Sequence, residues 1–116
     1  FYESANFAVI RNLNVLFVCE NNLYSVYSPL ECRQPPERKI VDVASAIGLK
    51  GFETAGYDLD HCIGVLEAAV SHVRQGKGPA FVEASTYRYR EHCGPNYDND
   101  IGYRTQQEYE AWRSKD

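Results

Sequence analysis

Short apolar runs alternate with helical segments along this chain, and this order constrains the fold more than any other feature of the sequence. The run VLFVC at 15–19 is continuous and rich in β-forming residues, which is typical of a parallel strand covered on both faces. GFETAG at 51–56 and AFVEAST at 80–86 are predicted to be two further strands. Because helical segments separate the three strands, we expect an α/β fold whose parallel sheet has right-handed crossovers.

Four helices are predicted around these strands. The first lies within 1–14, the second ends at Gly48, and the last follows Thr105, which can form a capping box with Glu108. The longest covers about 58–74, and its first residue is an aspartate that can cap it. Its apolar residues recur at helical spacing and form one stripe: Leu59, Cys62, Ile63, Leu66, Ala69, Val70 and Val73.

Two long segments follow strands and are predicted to be loops. Residues 23–39 contain three prolines and have no sustained period, so we expect a long surface loop there. Residues 87–104 form a polar segment that contains tyrosines and glycines. In an open α/β sheet, ligands bind beyond the carboxyl ends of the strands. Glu20, Asn21 and Asn22 follow the first strand and 87–104 follows the last, so adjacent strands would bring both to one pocket.

Composition limits the classes of function. A chain of 116 residues, 44% of them hydrophobic, has the size of a single domain and the composition of a globular one. Its formal charge of −4 argues against the basic surface that nucleic-acid binding needs. No apolar run approaches the roughly 20 residues of a membrane span, and no signal-peptide pattern opens the chain. We therefore expect neither nucleic acid nor a membrane as a partner.

The cysteines do not follow the paired C-x-x-C pattern of a zinc site. Cys19 ends an apolar run and Cys62 lies on the stripe of the longest helix, so both are predicted to be small core residues. Cys32 and Cys93 lie in the two long loops. This usage indicates a reduced, cytoplasmic protein.

Two polar side chains at the predicted strand ends each allow a functional and a structural interpretation. The side-chain oxygen of Asn22 can complete an octahedral Mg²⁺ shell without adding charge beside phosphates, but asparagine also ends strands in turns very often. An imidazole is a side-chain type suited to proton transfer, so His92 could act as a proton donor, yet it can equally be a solvated loop residue. His61 and His72 are interpreted as surface residues.

Several motifs together resemble the α subunit of the thiamine-diphosphate-dependent E1 component of 2-oxo acid dehydrogenases, the pyruvate, branched-chain and acetoin enzymes. In that family a GDG motif opens a helix with Phe-x-Glu-x-x-Asn-x-Ala, and a buried strand ends in Glu-Asn-Asn-x-Tyr. The segment GKGPAFVEASTYRYREH is similar to the family's GxGPxxxExxTYRxxGH, and the resemblance covers nearly the whole chain. The other matching residues are Tyr2-Glu3, Asn6-Phe7-Ala8, Glu20-Asn21-Asn22-Leu23-Tyr24 and Tyr103-Arg104-Thr105.

The resemblance implies a role for four residues. Asn22 would give its side-chain oxygen, and Tyr24 its backbone carbonyl, to the Mg²⁺ that holds the cofactor's diphosphate, so the ring of Tyr24 need not matter. His92 matches the loop histidine that faces the thiazolium and the substrate. Arg88 would support that loop or face the phosphates. The implied fold is the parallel-sheet thiamine-diphosphate-binding fold, truncated, with residues 1–116 as the C-terminal part of the cofactor domain.

The resemblance also implies a reaction and partners. The cofactor's carbanion would add to a 2-oxo acid, CO₂ would leave, and the acyl group would pass to a lipoyl group on an E2 partner. E1 sites form between α and β subunits, and the cofactor-activating glutamate belongs to the β chain. The sequence leaves open which 2-oxo acid is used.

This chain departs from the family pattern in three places. The GDG motif, whose aspartate is the other protein ligand of Mg²⁺, would lie upstream of Phe1, so we expect an incomplete cofactor site and no activity of this chain alone. Cys93 stands where some relatives carry a phosphorylated serine, which removes the basis for predicting that control. The stretch GPNYDNDIGYR is more acidic than usual, which puts the substrate in doubt.

Two other interpretations of the chain's function differ from this one. A stand-alone binding or assembly module, derived from such a subunit and no longer catalytic, is the alternative from a different class. Another thiamine enzyme, such as a transketolase, is disfavoured by the Tyr-Arg and His-Cys-Gly pattern of the last loop. Without the GDG strand the sheet would have an unpaired edge, so we expect self-association of the chain.

Overall fold

The computed structural model describes residues 1–116 as an α/β fold whose helices flank a parallel sheet, as the sequence predicts. The helices are α1 (Tyr2–Ile10), α2 (Ile40–Ile47), α3 (Leu59–Arg74) and α4 (Gln106–Arg113). The strands are β1 (Leu16–Asn21), β2 (Tyr24–Ser25), β3 (Ser28–Pro29), β4 (Lys50–Ala55) and β5 (Ala80–Ser85), and short 3₁₀ turns occupy Leu30–Cys32 and Asn99–Ile101. None of these helices is long and apolar enough to cross a membrane.

The three-stranded sheet has the order β1-β5-β4, and both of its pairings are parallel. The last strand in the chain therefore lies in the centre. Asn21 of β1 and Ala55 of β4 both pair with Ser85 of β5, so all three strands end at one carboxyl edge. The stretch 20–22 and the 87–104 segment, which the sequence predicts to share a pocket, lie at the ends of the neighbouring strands β1 and β5.

The hydrophobic core lies between α1, α2 and one face of the sheet. Phe81, in the centre of the sheet, packs there with Ala5, Val41, Ala44 and Leu49. Val82 is fully buried and, by the alternation of a strand, faces the opposite side, where α3 contacts the sheet.

Apolar coverage is less complete than the sequence predicts. Val18 of β1 is 56% exposed, because β1 is an edge strand of the sheet and nothing covers its side chain. Of the predicted stripe on α3, only Ala69 and Val73 are buried, whereas Leu59 and Ile63 at the start of the helix are exposed.

Residues 23–39 contain local structure within the predicted loop. β2 and β3 form a short antiparallel hairpin, and a 3₁₀ turn follows it. The hairpin depends on Leu23 and Val26, which have φ angles of 68° and 56° in the left-handed region. Non-glycine residues occur rarely in that region, so contacts elsewhere must hold this conformation.

Helix ends follow the predicted capping chemistry. The Asp58 carboxylate accepts a bond from the backbone N–H of His61 at 3.0 Å, and the Thr105 hydroxyl accepts one from the N–H of Glu108 at 3.0 Å. Gly48 ends α2 with φ 109°, a conformation suited to glycine. The side chain of Glu108 does not return to Thr105, because it bonds to a residue of the first loop described below.

All four cysteines are free thiols. Cys19 and Cys62 are half-buried, and the Cys62 thiol donates to the carbonyl of Ala55 at 3.2 Å. Burial raises the pKa of the Cys19 thiol, and the neighbouring carboxylates of Glu83 and Glu20 raise it further. Cys19 therefore stays a protonated, weakly nucleophilic side chain at neutral pH.

Candidate functional site

The two polar segments at the carboxyl edge of the sheet are in contact. The backbone N–H of Thr86 donates to the carbonyl of Asn21 at 2.9 Å, which continues the β1–β5 pairing beyond the strands. One guanidinium nitrogen of Arg88 donates to the backbone carbonyl of Val26 at 2.8 Å. The chain segments that follow β1 and β5 are therefore in contact, and a common pocket between residues 20–22 and 87–104 stays a prediction.

The residues after β1 form a tight turn closed by two asparagine side chains. The Asn21 Oδ1 accepts from the backbone N–H of Leu23 at 3.1 Å, and the Asn22 Oδ1 accepts from the N–H of Tyr24 at 3.0 Å. Asn22 therefore has the structural role that the sequence left open, because its side chain closes a turn at the end of the strand. An amide oxygen has two lone pairs, so this bond does not prevent Asn22 from also binding an ion.

The backbone carbonyl of Tyr24 lies on the same side of β2 as the Asn22 amide. Tyr24 faces Pro29 across the hairpin, and proline has no N–H to donate. The N–H and the carbonyl of one strand residue point to the same side, and the N–H of Tyr24 points to Asn22 Oδ1. Two neutral oxygens, a donor set suited to Mg²⁺, therefore share one side of the turn.

The structure contains no cluster of acidic, histidine or thiol side chains that could form a metal centre of its own. No group of three or more His, Cys, Asp and Glu side chains is arranged to hold an ion. The residues present at the turn fit a hard cation whose remaining ligands come from elsewhere, such as the oxygens of a diphosphate and water.

The ring of Tyr24, to which the sequence assigns no role, joins the first loop to α4. Its hydroxyl lies 2.9 and 2.8 Å from the two carboxylate oxygens of Glu108, and its ring meets that of Tyr103 edge-on at 5.4 Å. Burial raises the pKa of Tyr24, and the hydrogen bond to Glu108 raises it further. The hydroxyl therefore remains a donor throughout the physiological pH range.

A buried network fixes the 87–104 segment. Arg104 and Asp98 form an ion pair at 2.5 Å in which each side chain is only 1% exposed. The hydroxyl of Tyr103 donates to the other Asp98 oxygen at 2.7 Å, and Arg104 also donates to the backbone carbonyl of Arg88. Burial is the main cause of the raised pKa of the Tyr103 hydroxyl, and its hydrogen bond to Asp98 raises that pKa further.

Arg88 connects this network to the candidate histidine. Its guanidinium donates to the Tyr103 hydroxyl at 3.1 Å, and its other terminal nitrogen lies 3.2 Å from Nδ1 of His92. Because arginine only donates, Nδ1 of His92 accepts, and the ring proton is on Nε2. The His92 side chain is exposed, and no hydrogen bond links it to Asn22.

A cavity of about 470 Å³ lies beside the hairpin rather than at the asparagine turn. It is lined by Leu23, Tyr24, Pro29, Leu30, Glu31, Gln34, Pro35, Pro36 and Glu108. Neither Asn22 nor His92 lines it. The structure thus brings Tyr24 and Arg88 together through Tyr103 but leaves Asn22 and His92 apart.

The sequence does not predict the roles of Asp98 and Glu108, whose carboxylates accept hydrogen bonds from tyrosines of the candidate site. Asp98 and Glu108 bond to Tyr103 and Tyr24, yet the sequence shows them only as one acidic residue of a polar loop and as part of a helix cap. A charged residue in a loop or a first helical turn is usually solvated, so no local pattern identifies these two.

Comparison with known proteins places the whole chain in one family. The family described as "Dehydrogenase E1 component" matches residues 1–116. The chain is 39% identical over 116 residues to the pyruvate dehydrogenase E1 component subunit alpha of Porphyra purpurea, covering 100% of this chain and 33% of that protein. It is 34% identical over 116 residues to the 2-oxoisovalerate dehydrogenase subunit alpha of Bacillus subtilis, covering 100% and 34%.

A third relative is the 3-methyl-2-oxobutanoate dehydrogenase subunit alpha of Mycobacterium tuberculosis, 31% identical over 115 residues, with 99% of this chain and 30% of that protein covered. The chain thus spans about a third of the length of the curated relatives it matches. Since the match includes every residue described above, the chain belongs to the dehydrogenase E1 component family.

Proposed function

We propose that this chain is part of the cofactor domain of an α-type subunit of a thiamine-diphosphate-dependent 2-oxo acid dehydrogenase. The observation that carries the proposal is the pair of neutral oxygens, Asn22 Oδ1 and the Tyr24 carbonyl, on one side of the turn after β1. This pair lies at the carboxyl edge of a parallel sheet, where α/β folds bind ligands. The activity is proposed for the assembled protein.

In the proposed mechanism, bound thiamine diphosphate supplies the nucleophilic carbon needed to decarboxylate a 2-oxo acid. Asn22 and the Tyr24 carbonyl would bind the Mg²⁺ that holds the diphosphate. Arg88 fixes the loop through the Val26 carbonyl and orients His92 by donating to its Nδ1. His92 would then present its Nε2 proton to the substrate side, where it could transfer that proton or donate a hydrogen bond to the carboxylate of the acid.

The relatives' names suggest the class of substrate and the partners. Pyruvate and 2-oxoisovalerate, which is the same compound as 3-methyl-2-oxobutanoate, are both 2-oxo acids, so we assign a 2-oxo acid to this protein. An E1 β subunit would complete the active site, and a lipoyl-bearing E2 would take up the acyl group. The free thiols of all four cysteines support a reducing compartment, and we place the protein in the cytoplasm.

Replacing Asn22 with alanine is expected to weaken Mg²⁺-dependent binding of thiamine diphosphate by at least about 10- to 100-fold, because a metal ligand is lost. The measurement is titration calorimetry on the full-length subunit assembled with its β partner. Tyr24→Phe is the matched control, since it removes the hydroxyl bond to Glu108 and keeps the backbone carbonyl. Equal cofactor affinity in Asn22→Ala and wild type would remove the turn from the metal site.

We also propose that the apolar surface of α1 and β1 is covered by other polypeptide. α1 turns only Ala5 and Ala8 to the core and leaves Phe7 and Ile10 exposed, and β1 forms an edge of the sheet with Val18 exposed. An edge strand next to exposed apolar side chains is a site of association.

The 116-residue chain by itself is accordingly expected to self-associate. For a weak interface, this should be seen at concentrations on the order of tens of micromolar. Sedimentation velocity measures this directly. Replacing Phe7 and Ile10 with serine should shift the chain towards monomer, whereas Leu59→Ser, which alters an exposed apolar residue on α3, should not. A well-behaved wild-type monomer at these concentrations would contradict the proposal.

A further inference from the structure

We propose that Glu83 is a positioning residue that fixes both ends of the 23–39 segment and, through Asn21, sets the turn that carries Asn22. Glu83 is a half-buried carboxylate on β5, the central strand of the sheet. Its Oε1 accepts from the side-chain amide of Asn21 at 2.8 Å, and its Oε2 accepts from the backbone N–H of Val41 at 2.8 Å. One side chain therefore bonds to Asn21, two positions before the segment, and to the start of the helix after it.

The bond to Asn21 determines which atom of that amide faces the turn. Because Nδ2 donates to Glu83, Oδ1 is turned towards the backbone N–H of Leu23, which donates to it at 3.1 Å. Leu23 has φ 68°, a conformation that a leucine adopts only when its surroundings hold it there. Glu83 thus supports the strained residue that separates Asn22 from Tyr24.

The bond to Val41 supplies a cap that the local sequence lacks. The first N–H groups of a helix have no partner within the helix, and Lys39, at the N-cap position of α2, makes no side-chain capping bond. The Lys39 ammonium instead pairs with Glu53 at 3.1 Å. Glu83, 42 residues further along the chain, accepts the Val41 N–H in its place, and a carboxylate is favourable at a helix N-terminus.

Glutamate suits this position because both of its partners are donors. A glutamine in its place would have to turn its NH₂ group towards Asn21 or Val41, so one bond would become a repulsive contact between donors. In the same way, an aspartate in place of Asn21 would put a second carboxylate against that of Glu83, and the two negative charges would repel each other. Exchanging the two side-chain types together restores complementarity, since the new amide donates to the new carboxylate and still accepts from Val41.

This complementarity gives a test on the full-length subunit assembled with its partner. Asn21→Asp is expected to raise the hydrogen-exchange rate of the Leu23 amide, and Glu83→Gln that of either the Leu23 or the Val41 amide, by about tenfold or more. The double variant Asn21→Asp/Glu83→Gln is expected to return these rates towards wild type, a rescue that general loss of packing does not produce. Glu53→Gln, on the neighbouring strand at the position paired with Glu83, is the control and should change neither rate.

Unchanged exchange in the two single variants, or a double variant as fast as the worse single variant, would overturn the role of Glu83. If Glu83→Gln does not fold, Asn21→Asp compared with the double variant decides the same question. The link from the turn to the cofactor rests on the proposed function and is read separately, by titration with Mg²⁺ and thiamine diphosphate. Altered exchange with unaltered Mg²⁺ affinity would support the positioning role and count against the metal assignment of Asn22.

Discussion

Replacing Arg104 with methionine is expected to lower the free energy of unfolding by about 3–5 kcal/mol, the usual loss when one partner of a buried ion pair is removed. Asp98 and Arg104 are each only 1% exposed, so the variant would leave a carboxylate in the interior without its counter-charge. The backbone carbonyl of Arg88 would also lose a donor. Chemical denaturation of the full-length protein measures the change, and faster proteolysis within 87–104 should accompany it.

Two further variants separate the buried charge from the loss of side-chain volume. In Asp98→Asn/Arg104→Met no charge remains buried, so the double variant should be more stable than Arg104→Met alone. Lys39→Met removes the other ion pair, between Lys39 and Glu53, which is exposed, and should leave stability nearly unchanged. Equal stability of Arg104→Met and wild type would show that the pair does not hold this segment together.

The fold follows from the sequence where local patterns are strong. The three sheet strands, the helix after Asp58 and the end of α2 at Gly48 occur as predicted, because apolar runs, caps and glycine conformations act over a few residues. The exposure of Val18 is not predictable in this way. A continuous apolar run indicates that both faces can be buried, but whether they are depends on the strand's place in the sheet.

The candidate site is predictable only where single residues carry the chemistry. The sequence and the family resemblance predict Asn22, Tyr24, Arg88 and His92 as site residues, whereas most of the contacts that these residues make join positions far apart in the chain. Glu108 shows the reason. Its spacing from Thr105 predicts a reciprocal cap, but in the fold the hydroxyl of Tyr24, 84 residues away, lies closer to its carboxylate and takes the bond.

Replacing His92 with alanine is expected to lower kcat of the assembled enzyme by about 10²- to 10⁴-fold, the typical loss of a group that transfers a proton. Its Nδ1 accepts from Arg88, so the Nε2 proton is directed away from the network, as the proposed proton transfer requires. The fold itself does not depend on this ring, because the side chain is exposed and Arg88 keeps its bonds to Val26 and Tyr103. The unfolding free energy should therefore change little while kcat falls.

Steady-state kinetics on the α and β subunits with E2 measure this effect, and two variants show where it originates. Cys93→Ser alters the adjacent exposed residue, which makes no hydrogen bond, and should keep the wild-type kcat. Arg88→Met leaves the imidazole in place but removes the donor to its Nδ1, so kcat should fall less than in His92→Ala. A wild-type kcat in His92→Ala would make His92 the solvated loop residue that the sequence alone also allows, and proton transfer would then have to come from the β subunit or the cofactor itself.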